Sequence, residues 1–179
     1  MSLDQALQNL PPECPPEIYE KQTVIEVSYY SFDGQIHTGQ VVIDRDLVED
    51  IKTIFDLALQ IKFPIGQVKP IADQEFQWSD DRSMSANNTS AFNFRFKVGS
   101  NELSTHALGR AIDINPKLNP YIRDGVILPE GSTYSPGAAG VLSADHPIVL
   151  KFKELGWTWG GDWQSLKDYQ HFEKPLLST

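Results

Sequence analysis

Residues 104–115 read Ser104-Thr105-His106-Ala107-Leu108-Gly109-Arg110-Ala111-Ile112-Asp113-Ile114-Asn115. From Ala111 the pattern alternates. Ala111, Asp113 and Asn115 share one face of a strand, and Ile112 and Ile114 share the other. The apolar face needs a cover, and the polar face offers a carboxylate. His106 stands seven positions earlier, a spacing of imidazole and carboxylate that is weak evidence by itself.

A third group of the same chemical kind lies 58 residues beyond Asp113, where Asp168-Tyr169-Gln170-His171-Phe172-Glu173 reads as a final strand. Two imidazoles and one carboxylate are the ligand set of an open zinc site, which leaves one position free for water. Spacing alone leaves a second reading open, in which His106 is a surface histidine and Asp113 a solvated carboxylate. Asp168, three residues before His171, reads on its own as the cap of a turn.

Working outward, Val24–Tyr30 and Ile36–Ile43 are two β-rich runs around the Asp33-Gly34 turn signal, so a hairpin is expected over 24–43. His37 in its second run reads as solvated. Leu47, Ile51, Ile54, Phe55, Ala58 and Ile61 recur at helical spacing and predict a helix over 46–62, capped by Asp44 or Asp46 and ended by Pro64. Residues 79–90 are small and polar and read as a loop. Phe92, Phe94 and Phe96 then alternate with Asn93, Arg95 and Lys97, which predicts a strand over 92–98 with buried aromatics and a wet polar row. The Pro-, Gly- and Ser-rich stretch 116–145 reads as a long surface loop of the kind that often carries function. Tyr121 and Tyr134 are its candidate groove residues. Pro147 to Leu155 predicts a second helix stopped by Gly156, with His146 at its start. Trp157 and Trp159 alternate on a strand, one face buried and the other free to frame a groove. Asp162 and Trp163 read as architecture of the turn at Gly160-Gly161.

The 179 residues suffice for one core, with residues 1–22 as a Pro-rich arm and 23–179 as a single domain. Pro11, Pro12, Pro15 and Pro16 disfavour regular structure in the arm, and Cys14 reads as a lone exposed thiol. One cysteine excludes a disulfide framework. Fifteen Lys and Arg against 24 Asp and Glu give a net charge of −9, which argues against nucleic acid or an anionic membrane as main partner. No apolar run reaches the roughly 18 residues of a membrane span. Met1 to Pro16 lacks the basic start and apolar stretch of a signal peptide. No GxSxG elbow appears, and nothing near Cys14 would activate it, so a serine or cysteine hydrolase is disfavoured.

The stretch Ser104–Asp113 resembles the SxHxxGxAxD signature of the LAS zinc metallopeptidases, the family of VanY-like and VanX-like D-alanyl-D-alanine peptidases and L-alanyl-D-glutamate endopeptidases. Trp157–Trp163 followed by Asp168-Tyr169-Gln170-His171-Phe172 resembles the second signature, and Asn87–Arg95 an element of the VanY-like branch. The resemblance implies zinc ligands at His106, Asp113 and His171, and a catalytic carboxylate at Asp168. Arg95 is the candidate for a second positive group, since a guanidinium grips a carboxylate or oxyanion with two hydrogen bonds; Arg82 competes for that part. Ser104 either bonds within the site or ends a strand.

The expected fold is α+β: a small antiparallel sheet of strands near 92–98, 110–115, 157–160 and 169–173, with helices on one side and a zinc cleft on the other, as in hedgehog and D,D-peptidase domains. The implied activity is hydrolysis of amide bonds in peptidoglycan stem peptides, by a monomer acting outside the bacterial cytoplasmic membrane. The alternative is a non-catalytic, zinc-containing binding module of hedgehog-like fold.

Overall fold

The computed structural model describes residues 1–97 and 100–176. In chain order the helices are α1 (Leu3–Ala6), α2 (Pro16–Tyr19), α3 (Val48–Gln60), α4 (Asp80–Ser85) and α5 (Pro147–Glu154). The strands are β1 (Gln22–Tyr30), β2 (Ile36–Asp44), β3 (Gln67–Val68), β4 (Asn88–Thr89), β5 (Ala111–Asp113), β6 (Tyr121–Arg123), β7 (Val126–Leu128), β8 (Thr158–Trp159), β9 (Lys167–Asp168) and β10 (His171–Glu173).

The hairpin of β1 and β2 pairs over its full length, from Gln22↔Asp44 to Tyr30↔Ile36. Asp44 then caps a short turn by accepting from the Asp46 amide at 3.0 Å, and α3 follows. Ile51, Ile54, Phe55 and Ala58 of α3 are buried against the hairpin, whereas Ile61 at its end is exposed. In α5, Pro147 fills the first turn and the His146 ring accepts from the Ile148 amide.

The sheet that matters for the site has the order β5-β10-β8 and is antiparallel throughout. Its two faces differ chemically. Ile112, Phe172 and Trp159 point into the main core, where Phe172 stacks on Phe152 of α5 with ring centroids 3.9 Å apart. Asp113, His171 and Glu173 point the other way, into a cleft. Burying the first face is what holds the second in place.

Several expectations need correction. The segment 92–97 is not a strand; it is irregular, touching β2 through Phe92 N to Val42 O (3.0 Å) and forming one isolated bridge, Phe96↔Leu103. Position 98 lies outside the described residues. Phe92 and Phe94 are buried, but Phe96 is exposed, and Asn93 is buried rather than wet because its amide donates to Asp80. Part of the polar stretch 79–90 is helical: Ser79 caps α4, and Ser83 and Met84 give it a buried side. The segment 116–145 holds the β6–β7 hairpin, whose turn uses Asp124 and Gly125 at positive φ. Trp157 and Trp159 are both buried, the latter donating to Tyr169 O at 2.9 Å.

The N-terminal arm packs down. Pro16 opens α2, a position where proline's missing N–H costs nothing. Ala6 and Cys14 are buried with Val42, Phe92, Phe94 and Ala107, so Cys14 is no exposed thiol. Burial pushes its pKa up to about 11. Among the described residues no helix is long and apolar enough to cross a membrane.

Two outcomes follow from this packing. Phe172→Ala leaves a hole between α5 and the sheet and costs about 3–5 kcal/mol in urea unfolding. In native protein at pH 8, Cys14 is alkylated at least tenfold more slowly than in urea-unfolded chain, because the thiolate is the reacting form; equal rates would contradict a packed arm.

Candidate metal centre and cleft

His106 reaches the site from a 3₁₀ turn, Thr105–Leu108, that Ser104 opens by accepting from the His106 amide at 3.3 Å. Gly109 ends that turn at φ +66°, packed so closely on Gln22 and the Asp44 amide that a side chain has no room. Asp113 and His171 come from β5 and β10, where they are direct register partners. Elementary strand pairing therefore brings together two residues 58 positions apart.

The three side chains are 4, 9 and 8% exposed for His106, Asp113 and His171. His106 Nε2 lies 3.1 Å from His171 Nδ1 and 3.2 Å from Asp113 Oδ1, and the last two atoms are 3.0 Å apart. The other nitrogen of each ring is engaged. His106 Nδ1 is 2.6 Å from the Ala91 carbonyl, and His171 Nε2 is 3.3 Å from Glu173 Oε2. A carbonyl and a carboxylate only accept, so each of these ring nitrogens carries a proton, and the partner nitrogen is the one that turns to Asp113. Without an ion, protons on the histidines bridge to Asp113, and these bonds lift the His171 pKa to about 10 against the effect of burial. Once those protons leave, both inner nitrogens offer lone pairs beside the carboxylate, and the residues present can hold a metal ion.

Glu173 is a functional position that pattern reading left without a role. It accepts from Thr105 Oγ1 at 2.6 Å and meets His171 Nε2 with the same oxygen. The His171 bond, outweighing the opposing effect of burial, draws its pKa down to about 2. Its strand period was the available signal, since Glu173 shares a face with His171. Burial alone would raise Asp113, but the charge and hydrogen bonds of the two histidines prevail and hold it well below the usual carboxylate range.

The cleft around the group has a volume of about 340 Å³. Asp168 lines it from β9, which β6 fixes through the Tyr121↔Asp168 pair. Gly160 packs against Asp168 so closely that an added Cβ would stand 2.5 Å from its carbonyl oxygen. Asp168 Oδ1 is buried and has no hydrogen-bond partner among the described residues. Desolvation first, then the charge of Asp113, push its pKa up to about 6, against the pull of His171.

Arg95 also lines the cleft, held by Asp80 at 3.1 Å, and its Nε is buried without a partner among the described residues. Arg82 instead donates to Gln77 at 3.3 Å and does not line the cleft. Ser104 and Tyr121 line it. Tyr134 does not; it stacks on Tyr169 at 3.5 Å and donates to Leu142 O. Trp163 lines the cleft with its ring 5.4 Å from that of His171, which its place in a turn did not suggest.

A buried His-Asp-His group that could hold a metal ion thus opens on a cleft, with the unpartnered Asp168 Oδ1 beside it. Residues 98–174 match the family model described as D-alanyl-D-alanine carboxypeptidase, which supports kinship with VanY-like peptidases. No curated protein and no solved structure matches the chain.

The role of Glu173 is directly measurable. Glu173→Ala keeps the fold but weakens metal binding about 10–100-fold in a competition titration with a chromophoric chelator, because His171 loses the acceptor that orients it. Unchanged affinity would remove Glu173 from the centre.

Proposed function

We propose that this protein is a zinc-dependent peptidase that hydrolyses amide bonds in peptidoglycan stem peptides, outside the cytoplasmic membrane and as a monomer, on a fold of the hedgehog and D,D-peptidase type. The observation that carries the reading is Asp168 Oδ1: buried, unpartnered and in one cleft with His106, Asp113 and His171. A buried polar atom without a partner is costly to keep and marks a place where another molecule is bound. The family match over 98–174 supports a peptidase.

In this reading His106 Nε2, Asp113 Oδ1 and His171 Nδ1 hold the zinc ion. When bound, the ion supplies Lewis-acid polarisation of the scissile carbonyl and eases deprotonation of water. Asp168 Oδ1 accepts the proton of the attacking water and then donates it to the leaving nitrogen, a double duty suited to a pKa of about 6. Arg95, oriented by Asp80, presents N–H donors to the developing oxyanion or to a substrate carboxylate. Glu173 and the Ala91 carbonyl keep both imidazoles in the ligating tautomer. A hedgehog-like binding module would need the metal group but has no use for a buried, unpartnered Asp168 Oδ1.

The test is mass spectrometry of purified muropeptides incubated with zinc-loaded protein, with a chelated control. Loss of one terminal alanine identifies a carboxypeptidase, and fragments within the stem an endopeptidase. Asp168→Asn retains one zinc per chain and loses at least 100-fold in rate. Unchanged masses with the fully loaded wild type would overturn the enzyme reading.

A further inference from the structure

Outside the metal group the described cleft residues include three cations, Arg95, Lys97 and Arg123, and three carboxylates, Asp80, Asp168 and Glu173. Asp80 is already used by Arg95 and Asn93, and Glu173 by Thr105 and His171. In a chain of net charge −9 the formal charges of these six side chains balance, so the cations are not outnumbered there as they are in the chain at large. Lys97 faces Glu102 at 3.0 Å in an exposed pair. Arg123 has no firm carboxylate partner: the neighbouring Asp124 is 3.4 Å from Nε, longer than a strong charge-assisted hydrogen bond, and its other neighbour is the Tyr121 side chain on the same strand face.

The place of Arg123 is fixed by register. It lies on β6, whose neighbour β9 carries Asp168 opposite Tyr121. Side chains on a strand repeat every second residue, so Tyr121 and Arg123 share the cleft side of β6 while Ile122 faces away. Two residues of strand span roughly 7 Å. Arg123 therefore stands one such step beyond the register position of Asp168. Leu128 lies opposite Tyr121 on β7 and lines the same wall, an apolar surface beside the cation.

Resting on the peptidase reading, we propose that Arg123 is a specificity residue that binds a second carboxylate of the substrate, about two backbone units from the bond that is cut. A guanidinium has five N–H donors, enough to take a carboxylate in two parallel bonds while keeping its weaker contacts to Tyr121 and Asp124, and its exposure leaves it open to an entering chain. The peptide favoured is one bearing a free side carboxylate near the scissile bond, in preference to the same peptide with that group amidated.

The experiment uses two synthetic stem pentapeptides, L-Ala-γ-D-Glu-L-Lys-D-Ala-D-Ala and its form with the glutamate α-carboxyl amidated. Affinity is measured calorimetrically on the zinc-loaded Asp168→Asn chain, and cleavage on the wild type. The free-carboxylate peptide binds about five- to tenfold more tightly, and the ratio shrinks at high salt. In the Asp168→Asn background, Arg123→Gln brings the ratio within twofold and Arg123→Lys retains part of it, a change in selectivity that simple misfolding does not mimic. Equal affinities before substitution, a ratio that survives Arg123→Gln, or no binding of either peptide would overturn the proposal. Absence of cleavage of both peptides, with the binding ratio intact, would instead overturn the hydrolytic reading and leave Arg123 as a carboxylate-binding residue.

Discussion

Three potential ligand atoms, His106 Nε2, His171 Nδ1 and Asp113 Oδ1, are held 3.0–3.2 Å apart in the buried wall of one cleft. Two imidazoles and a carboxylate are costly to bury unless a proton or a metal ion is shared among them, and the fold must hold them together. The restraint comes from the opposite side of the same small sheet. Ile112 alternates with Asp113 and Phe172 with His171, so burying the apolar pair against α5 aims the ligands into the cleft. Tautomers are set by the next contacts out, the Ala91 carbonyl and Glu173.

The same logic ties remote parts of the chain to the site. Arg110, inside the first motif, forms a buried ion pair with Asp44 at 3.0 Å and donates to Lys174 O at 2.8 Å. It thereby joins the end of β2, the start of β5 and the exit of β10. A buried pair of this kind is costly to break once formed. The β6–β7 hairpin, for its part, pairs with β9 and sets both Asp168 and the cleft wall.

Much of this was legible in the residues. Strong periodicity located the β1–β2 hairpin, α3 and α5, and the motif residues located the group His106, Asp113 and His171, which the structure brings together. What stayed hidden has physical causes. The α4 helix is one and a half turns long, too short for a period to show, and rests on the Ser79 cap and buried Met84. The Phe92–Phe96 alternation imitates a strand, but only Phe92 and Phe94 meet the arm's apolar side, so the ladder never forms. The arm's prolines mask its packing, because Pro16 starts a helix instead of ending one. Glu173 and Trp163 act through neighbours across space, which no local pattern encodes.

If His106, Asp113 and His171 converge on one ion, zinc-edge X-ray absorption on protein loaded with one equivalent of zinc will show it. The expected shell holds two imidazole nitrogens and a carboxylate oxygen at about 2.0–2.2 Å, with one imidazole lost from the fit in His171→Ala. A sulfur shell, a shell of waters alone, or a spectrum unchanged by His171→Ala would contradict it.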